Sequence, residues 1–175
     1  MRTRNAKRGT NGARNASSAF RLPPSALVLL FVSCTPVSTR PDFHPFPESQ
    51  TVLLVTRPQS VIPYLETLLA AESLRVRRAN TRDGYLEAHW YDTGTHRSTH
   101  SNDSVKDLAN TVKIRCWADP YVPGETMLTV EVVYRPRYDP SRIERELEAP
   151  VPADHAGVKL ADKLVAKLKE KFGTP

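Results

Sequence analysis

VKIRCWA (residues 112–118), then DPYVPG (residues 119–124), then TMLTVEVVY (residues 126–134) set the architecture of this chain. In the first run Val112, Ile114, Cys116 and Ala118 fall on one side and Lys113, Arg115 and Trp117 on the other. In the last, Leu128, Val130, Val132 and Tyr134 alternate with Met127, Thr129, Glu131 and Val133. A period of two is the signature of a strand, because successive side chains leave opposite faces of the backbone. The Pro- and Gly-bearing hexapeptide between the runs is turn chemistry, so the two strands form a hairpin and pair antiparallel.

Upstream, TVLLVT (residues 51–56) is a compact apolar run that reads as a buried strand, ended by Arg57-Pro58. A helix is predicted to start at Ser60 as N-cap, with Pro63 in its first turn and Val61, Tyr64, Leu65, Leu68 and Leu69 on its buried face. Leu74 to Arg78 alternates again. Asp83-Gly84 supplies the positive φ of a tight hairpin, and Tyr85 to Asp92 is the return strand. Residues 143–149 suit either an edge strand or irregular chain. The last element is a helix capped by Asp154, with Val158, Ala161, Leu164, Val165, Leu168 and Phe172 as its apolar stripe and lysines on the opposite face. The expected fold is therefore α+β: a two-layer sandwich with a mainly antiparallel sheet of four to six strands, covered on one face by two helices.

The charge is unevenly placed. The chain of 175 residues carries 25 Lys+Arg against 19 Asp+Glu, a net +6. Six of those basic residues (Arg2, Arg4, Lys7, Arg8, Arg14 and Arg21) lie in residues 1–33, which hold no Asp or Glu, so residues 34–175 are formally neutral. The pI of about 9.5 thus says nothing about the folded part. A nucleic-acid partner would require the N-terminus to persist, and none is expected. The basic stretch leads into ALVLLFV (residues 26–32) and Ser33-Cys34, the three-part order of an export signal. Seven apolar residues make a helix of about 10 Å, far short of the roughly 30 Å of bilayer hydrocarbon.

Phe31-Val32-Ser33-Cys34 resembles the bacterial lipobox: Val32, Ser33 and Cys34 match, and Phe31 stands where Leu is commoner. The resemblance implies cleavage before Cys34, diacylglycerol in thioether linkage on its sulfur, and acylation (palmitate or a similar chain) of the new amino terminus. Thr35 rather than Asp after the Cys leans toward the outer membrane over the inner. Residues 1–33 are then a signal peptide. Residues 34–50, with Pro36, Pro41, Pro45 and Pro47, read as an extended Pro-rich tether, and residues 51–175 as a single domain. Residues 51–90, with the turn Arg82-Asp83-Gly84 leading into Tyr85-Leu86-Glu87-Ala88-His89-Trp90, are similar in pattern to the small α/β domains of accessory lipoproteins of bacterial outer-membrane-protein assembly. Those domains are non-catalytic modules, and no functional residue carries over.

The chemistry-bearing residues are few. His89, His96 and His100 lie in or beside the aperiodic stretch 93–110, and the His-x3-His spacing would share one face only if helical, which its Gly, Thr, Ser and Asn content opposes. No metal, cofactor or catalytic residue is expected. Cys116 reads as a buried thiol, while Arg75, Arg77, Arg78 and Arg82 with Glu87, and the run 135–148, read as solvated mixed-charge surface. The reading that follows is a membrane-anchored, periplasm-facing envelope lipoprotein that binds a protein partner without catalysis. The alternative is an exported metal-dependent or hydrolytic enzyme using His89, His96 and His100.

Overall fold

The computed structural model describes residues 38, 40–99 and 108–173. Its spine is the hairpin of β6 (Thr111–Pro120) and β7 (Thr126–Tyr134), in continuous register from Val112 opposite Tyr134 to Pro120 opposite Thr126. At about 3.4 Å per residue this ladder is roughly 30 Å long, with the 121–125 turn at one end and Tyr134 at the other. β1 (Gln50–Leu54) pairs with the turn end of β7, and β3 (Tyr85–Ala88) pairs with β6. β2 (Val76–Asn80) completes the antiparallel order β1-β7-β6-β3-β2. Three two-residue strands, β4 (Tyr91–Asp92), β5 (Arg97–Ser98) and β8 (Ala149–Pro150), bring the sheet to eight. The fold is α+β, as the periodicity predicts, with more strands than expected because 85–92 breaks at His89-Trp90 and the loop regions add short pairings.

Helices α1 (Pro58–Ala71) and α3 (Ala156–Phe172) pack on the same face. Their buried residues Val61, Ile62, Leu65, Leu69, Ala161, Leu164 and Leu168 form one core with Leu86, Val112, Ile114, Cys116, Leu128 and Val130 of the sheet. The caps differ from expectation. α1 begins at Pro58, in the N1 position where the missing N–H is least costly, so Pro63 lies beyond the first turn. Its end is a left-handed Ser73 (φ 63°), with Leu74 N–H donating back to the Leu69 carbonyl over 2.9 Å and the Leu74 side chain buried. α3 is capped by His155 rather than Asp154: Nδ1 accepts from Gly157 N–H at 2.9 Å while Nε2 lies 2.6 Å from the Ala109 carbonyl.

Gly84 does have the expected positive φ (61°), and a second constraint acts there. A Cβ would lie 2.2 Å from the Ala118 carbonyl oxygen, because β6 crosses directly behind the turn. Residues 143–149 are neither of the two expected forms. They make one helical turn, α2 (Glu144–Leu147), followed by β8.

The largest departure concerns the Pro-rich stretch. From Ser38 onward the chain belongs to one compact unit, and its described residues 40–50 lie against the domain instead of extending from it. Arg40 grips Asp119 with two hydrogen bonds of 2.6 and 2.9 Å. Phe43 meets Trp117 edge-on at 6.4 Å, and Phe46 N–H donates to Glu131 at 2.9 Å. Pro41, Pro45 and Pro47 lower the entropy lost on ordering such an arm, so a few contacts suffice to hold it.

Candidate functional site

The face of the sheet opposite the helices carries side chains that alternation assigns to the outside, and they are buried. Lys113 is 0% exposed and Arg115 3%. Register puts Arg115 between Glu87 of β3 and Glu131 of β7. Its guanidinium donates to Glu131 at 3.0 Å and clamps Glu148, just past α2, with bonds of 2.8 and 2.6 Å. Lys113 Nζ lies 3.1 Å from Glu144, 3.5 Å from Glu148 and 3.7 Å from Glu87. A register shift in β2 accompanies Arg77, which reaches Glu87 at 3.0 Å and Glu144 at 3.5 Å. With Arg145 beside Glu131 and Glu148, four cations meet four carboxylates and the cluster is neutral.

Aromatic rings close it. Arg145 is stacked over Phe46 at 4.0 Å and Phe43 at 4.3 Å, with Arg115 5.0 Å from Phe43. Lys113 and Arg135 lie over Trp90 at 4.3 and 4.6 Å, and the Trp90 indole N–H donates to Glu144. The arm and the 135–150 segment are therefore the lid of a charged second layer. The run 135–148, expected as solvated surface, supplies Glu144, Arg145 and Glu148 to it, and Glu87 is buried rather than solvated.

The electrostatics fix the cluster's chemistry. Burial pushes the Glu87 and Glu144 carboxyls up, but Lys113 beside both, with Arg115 at Glu87, overcomes it and holds them below the usual carboxylate range. Burial lowers Lys113, against the pull of Glu144 and Glu148. Arg115 is also opposed by burial, yet its bonds to Glu148 raise it. The Tyr85 hydroxyl, buried and donating to Glu87 at 2.9 Å, is raised. Opposite charges thus favour the ionised form of both carboxyls, while for Lys113 burial outweighs the carboxylates around it.

The other residues singled out from sequence are scattered. Cys34 and His100 lie outside the described residues. His89 is half-buried at the break between β3 and β4, and its backbone N–H donates to Arg75. His96 sits in a turn at φ 56° with Nδ1 3.1 Å from the Tyr91 hydroxyl. Among the described residues no three His, Cys, Asp or Glu side chains are placed to hold a metal ion. Cys116 is buried in the helix-side core, which pushes its thiol up to about 12.

Two ends of the sheet remain exposed and apolar. At the β6–β7 turn, Leu53, Val55, Tyr121 and Val122 are 42–59% exposed. Beside them opens a hollow of about 500 Å³ lined by Arg40, Arg57, Arg82 and the turn itself. At the other end, the 135–143 loop displays Tyr138 (65%) and Ile143 (67%). Missed from sequence were Lys113, Arg115, Glu131 and the arm's Phe43 and Phe46. The available signal was charged residues at the same parity in facing strands, with tryptophans beside them.

Compared with protein-family models and with curated proteins, the chain matches none. Among the described residues no helix is long and apolar enough to cross a membrane.

Proposed function

We propose that the chain is a lipid-anchored protein of the bacterial cell envelope whose α+β domain binds another envelope protein without catalysis. The observation that carries this is the order of basic stretch, apolar core and Ser33-Cys34, ahead of a compact unit that starts only four residues later at Ser38. The anchor is Cys34, acylated after cleavage of residues 1–33, with the domain facing the periplasm and the outer membrane favoured over the inner by Thr35. More than one acyl chain makes such attachment stable. The buried ionic layer supports a binding role, since its bonds tie the arm and the segment after the 135–143 loop to the sheet. The 135–143 loop, with exposed Tyr138 and Ile143 among Arg137 and Arg142, is the surface offered to the protein partner. Aromatic and arginine side chains are the types that dominate interface energetics.

Fractionation tests the anchor. The wild-type chain is expected in the membrane pellet, and Cys34→Ala is expected to leave it for the soluble fraction or to accumulate as unprocessed precursor. A Cys34→Ala chain that is trimmed normally and stays quantitatively in the membrane overturns the proposal.

A further inference from the structure

We infer that the β6–β7 turn end of the domain docks on an anionic phospholipid surface, with the tip at Tyr121-Val122 entering the headgroup layer. The inference rests on the anchor reading above and names which surface of the domain meets the membrane.

Three observations meet at this end. The chain enters the domain here: Ser38 Oγ lies 3.5 Å from Asp83, and Arg40 is clamped to Asp119. Four extended residues span at most about 14 Å, so a lipid on Cys34 leaves this end close to the bilayer. Because residues 40–50 are bound along the sheet, they add no reach. An extended 34–50 spacer would have allowed roughly 50 Å; the docked arm removes most of it.

The exposed apolar side chains are the second observation. Of the six large hydrophobic residues that are exposed among the described ones, four (Leu53, Val55, Tyr121 and Val122) lie at this end. Pairing explains the grouping: Leu54 is opposite Thr126, the first residue after the turn, so Leu53 and Val55 flank the same rim. Tyrosine is a side chain of the membrane–water interface, where its ring is apolar and its hydroxyl stays hydrated. The tip is stiffened by Pro120 and Pro123, and two backbone bonds close it: Tyr121 N–H to the Glu125 carbonyl at 3.1 Å and Glu125 N–H to the Val122 carbonyl at 2.9 Å.

The third is the pattern of charge. Arg40, Arg57 and Arg82 line the hollow together with Asp83, Asp119 and Glu125. Asp119 is neutralised by Arg40, and Asp83 accepts from the Asn80 side chain at 3.0 Å. The Arg57 and Arg82 guanidiniums make no ion pair with a described residue, so they are the groups available for lipid phosphates, to which arginine presents a planar fork. Balanced formal charge means that the apolar tip supplies most of the attraction and the two arginines favour phosphate-rich lipid.

Site-directed spin labelling of the full, processed chain in phosphatidylethanolamine–phosphatidylglycerol vesicles tests this. Nitroxides are placed on Val122→Cys and, separately, on Tyr138→Cys at the far end; both positions are exposed, and Cys116 is buried out of reach. The label at 122 is expected to collide with oxygen several-fold more, relative to a water-soluble nickel chelate, than the label at 138. Arg57→Glu with Arg82→Glu is expected to reduce that contrast. Equal, water-like accessibility at both positions in a chain whose mass shows acylated Cys34 overturns the docking while leaving the anchor standing. A mass that retains Met1 overturns the anchor, and the docking with it, through a separate readout.

Discussion

On the helix side of the sheet, Ile114, Cys116, Leu128 and Val130 meet Leu65, Leu164 and Leu168 in an apolar core. On the arm side, one residue away along the same strands, Lys113, Arg115, Glu87 and Glu131 are buried just as deeply among salt bridges. The first layer is non-directional: side chains of suitable size and hydrophobicity fill it, and its stability scales with the area removed from water. The second depends on direction and on completeness. Removing two charges from water is costly, and the cost is recovered only while each carboxylate keeps its cation and its hydrogen bonds. The sheet thus carries two layers that respond to very different extents to the same kind of substitution.

The sharpest way to break that contrast is to make an apolar replacement on each side. Leu164→Met keeps volume and polarity and is expected to cost less than about 1.5 kcal/mol. Arg115→Leu, also a buried apolar side chain, leaves Glu148 and Glu131 without their principal cation and is expected to cost roughly 3–5 kcal/mol. Urea midpoints of the two full-length variants compare them directly. Equal losses would mean that the ionic layer behaves as ordinary core.

A smaller effect separates the layers by pH. The Glu87 pKa is depressed in the folded chain, so the stability it contributes is in place above the ordinary glutamate value, near 4.3, and is lost as the pH falls through the depressed folded value. The urea midpoint is therefore expected to hold between about pH 7 and 5 and to drop below that. Glu87→Gln is expected to be less stable at neutral pH by roughly 1.5–3 kcal/mol and to lose less on acidification. Parallel pH curves for the two proteins would assign the acid sensitivity elsewhere.

The same contrast explains what could be read in advance. The apolar layer was legible because its information is periodic: alternation at 112–118 and 126–134, and the stripe from Val158 to Phe172, each point to one buried face. The ionic layer was not, because alternation says only that Lys113 and Arg115 oppose Ile114, and exposure is the usual fate of such residues. Their burial depends on partners far along the chain, Glu87 and Glu148, and on an arm whose prolines signal extension equally well when free or docked. Register would have helped, since Arg115 faces Glu131 once the hairpin is closed on the 121–125 turn. The cap of the last helix was missed because its cause is not local: His155 displaces Asp154 because its ring bridges Gly157 and Ala109, a contact across the fold. Of the candidate chemistry, the buried Cys116 was readable from strand parity alone.

The anchor, the short reach to Ser38 and the docking of the turn end all depend on what stands at the amino terminus of the mature chain. Intact-mass measurement of the full-length gene product recovered from bacterial membranes tests this most directly. A species beginning at Cys34, heavier than its peptide by diacylglycerol and an acyl chain, is the predicted result. A species that keeps Met1 and bears no lipid would contradict it.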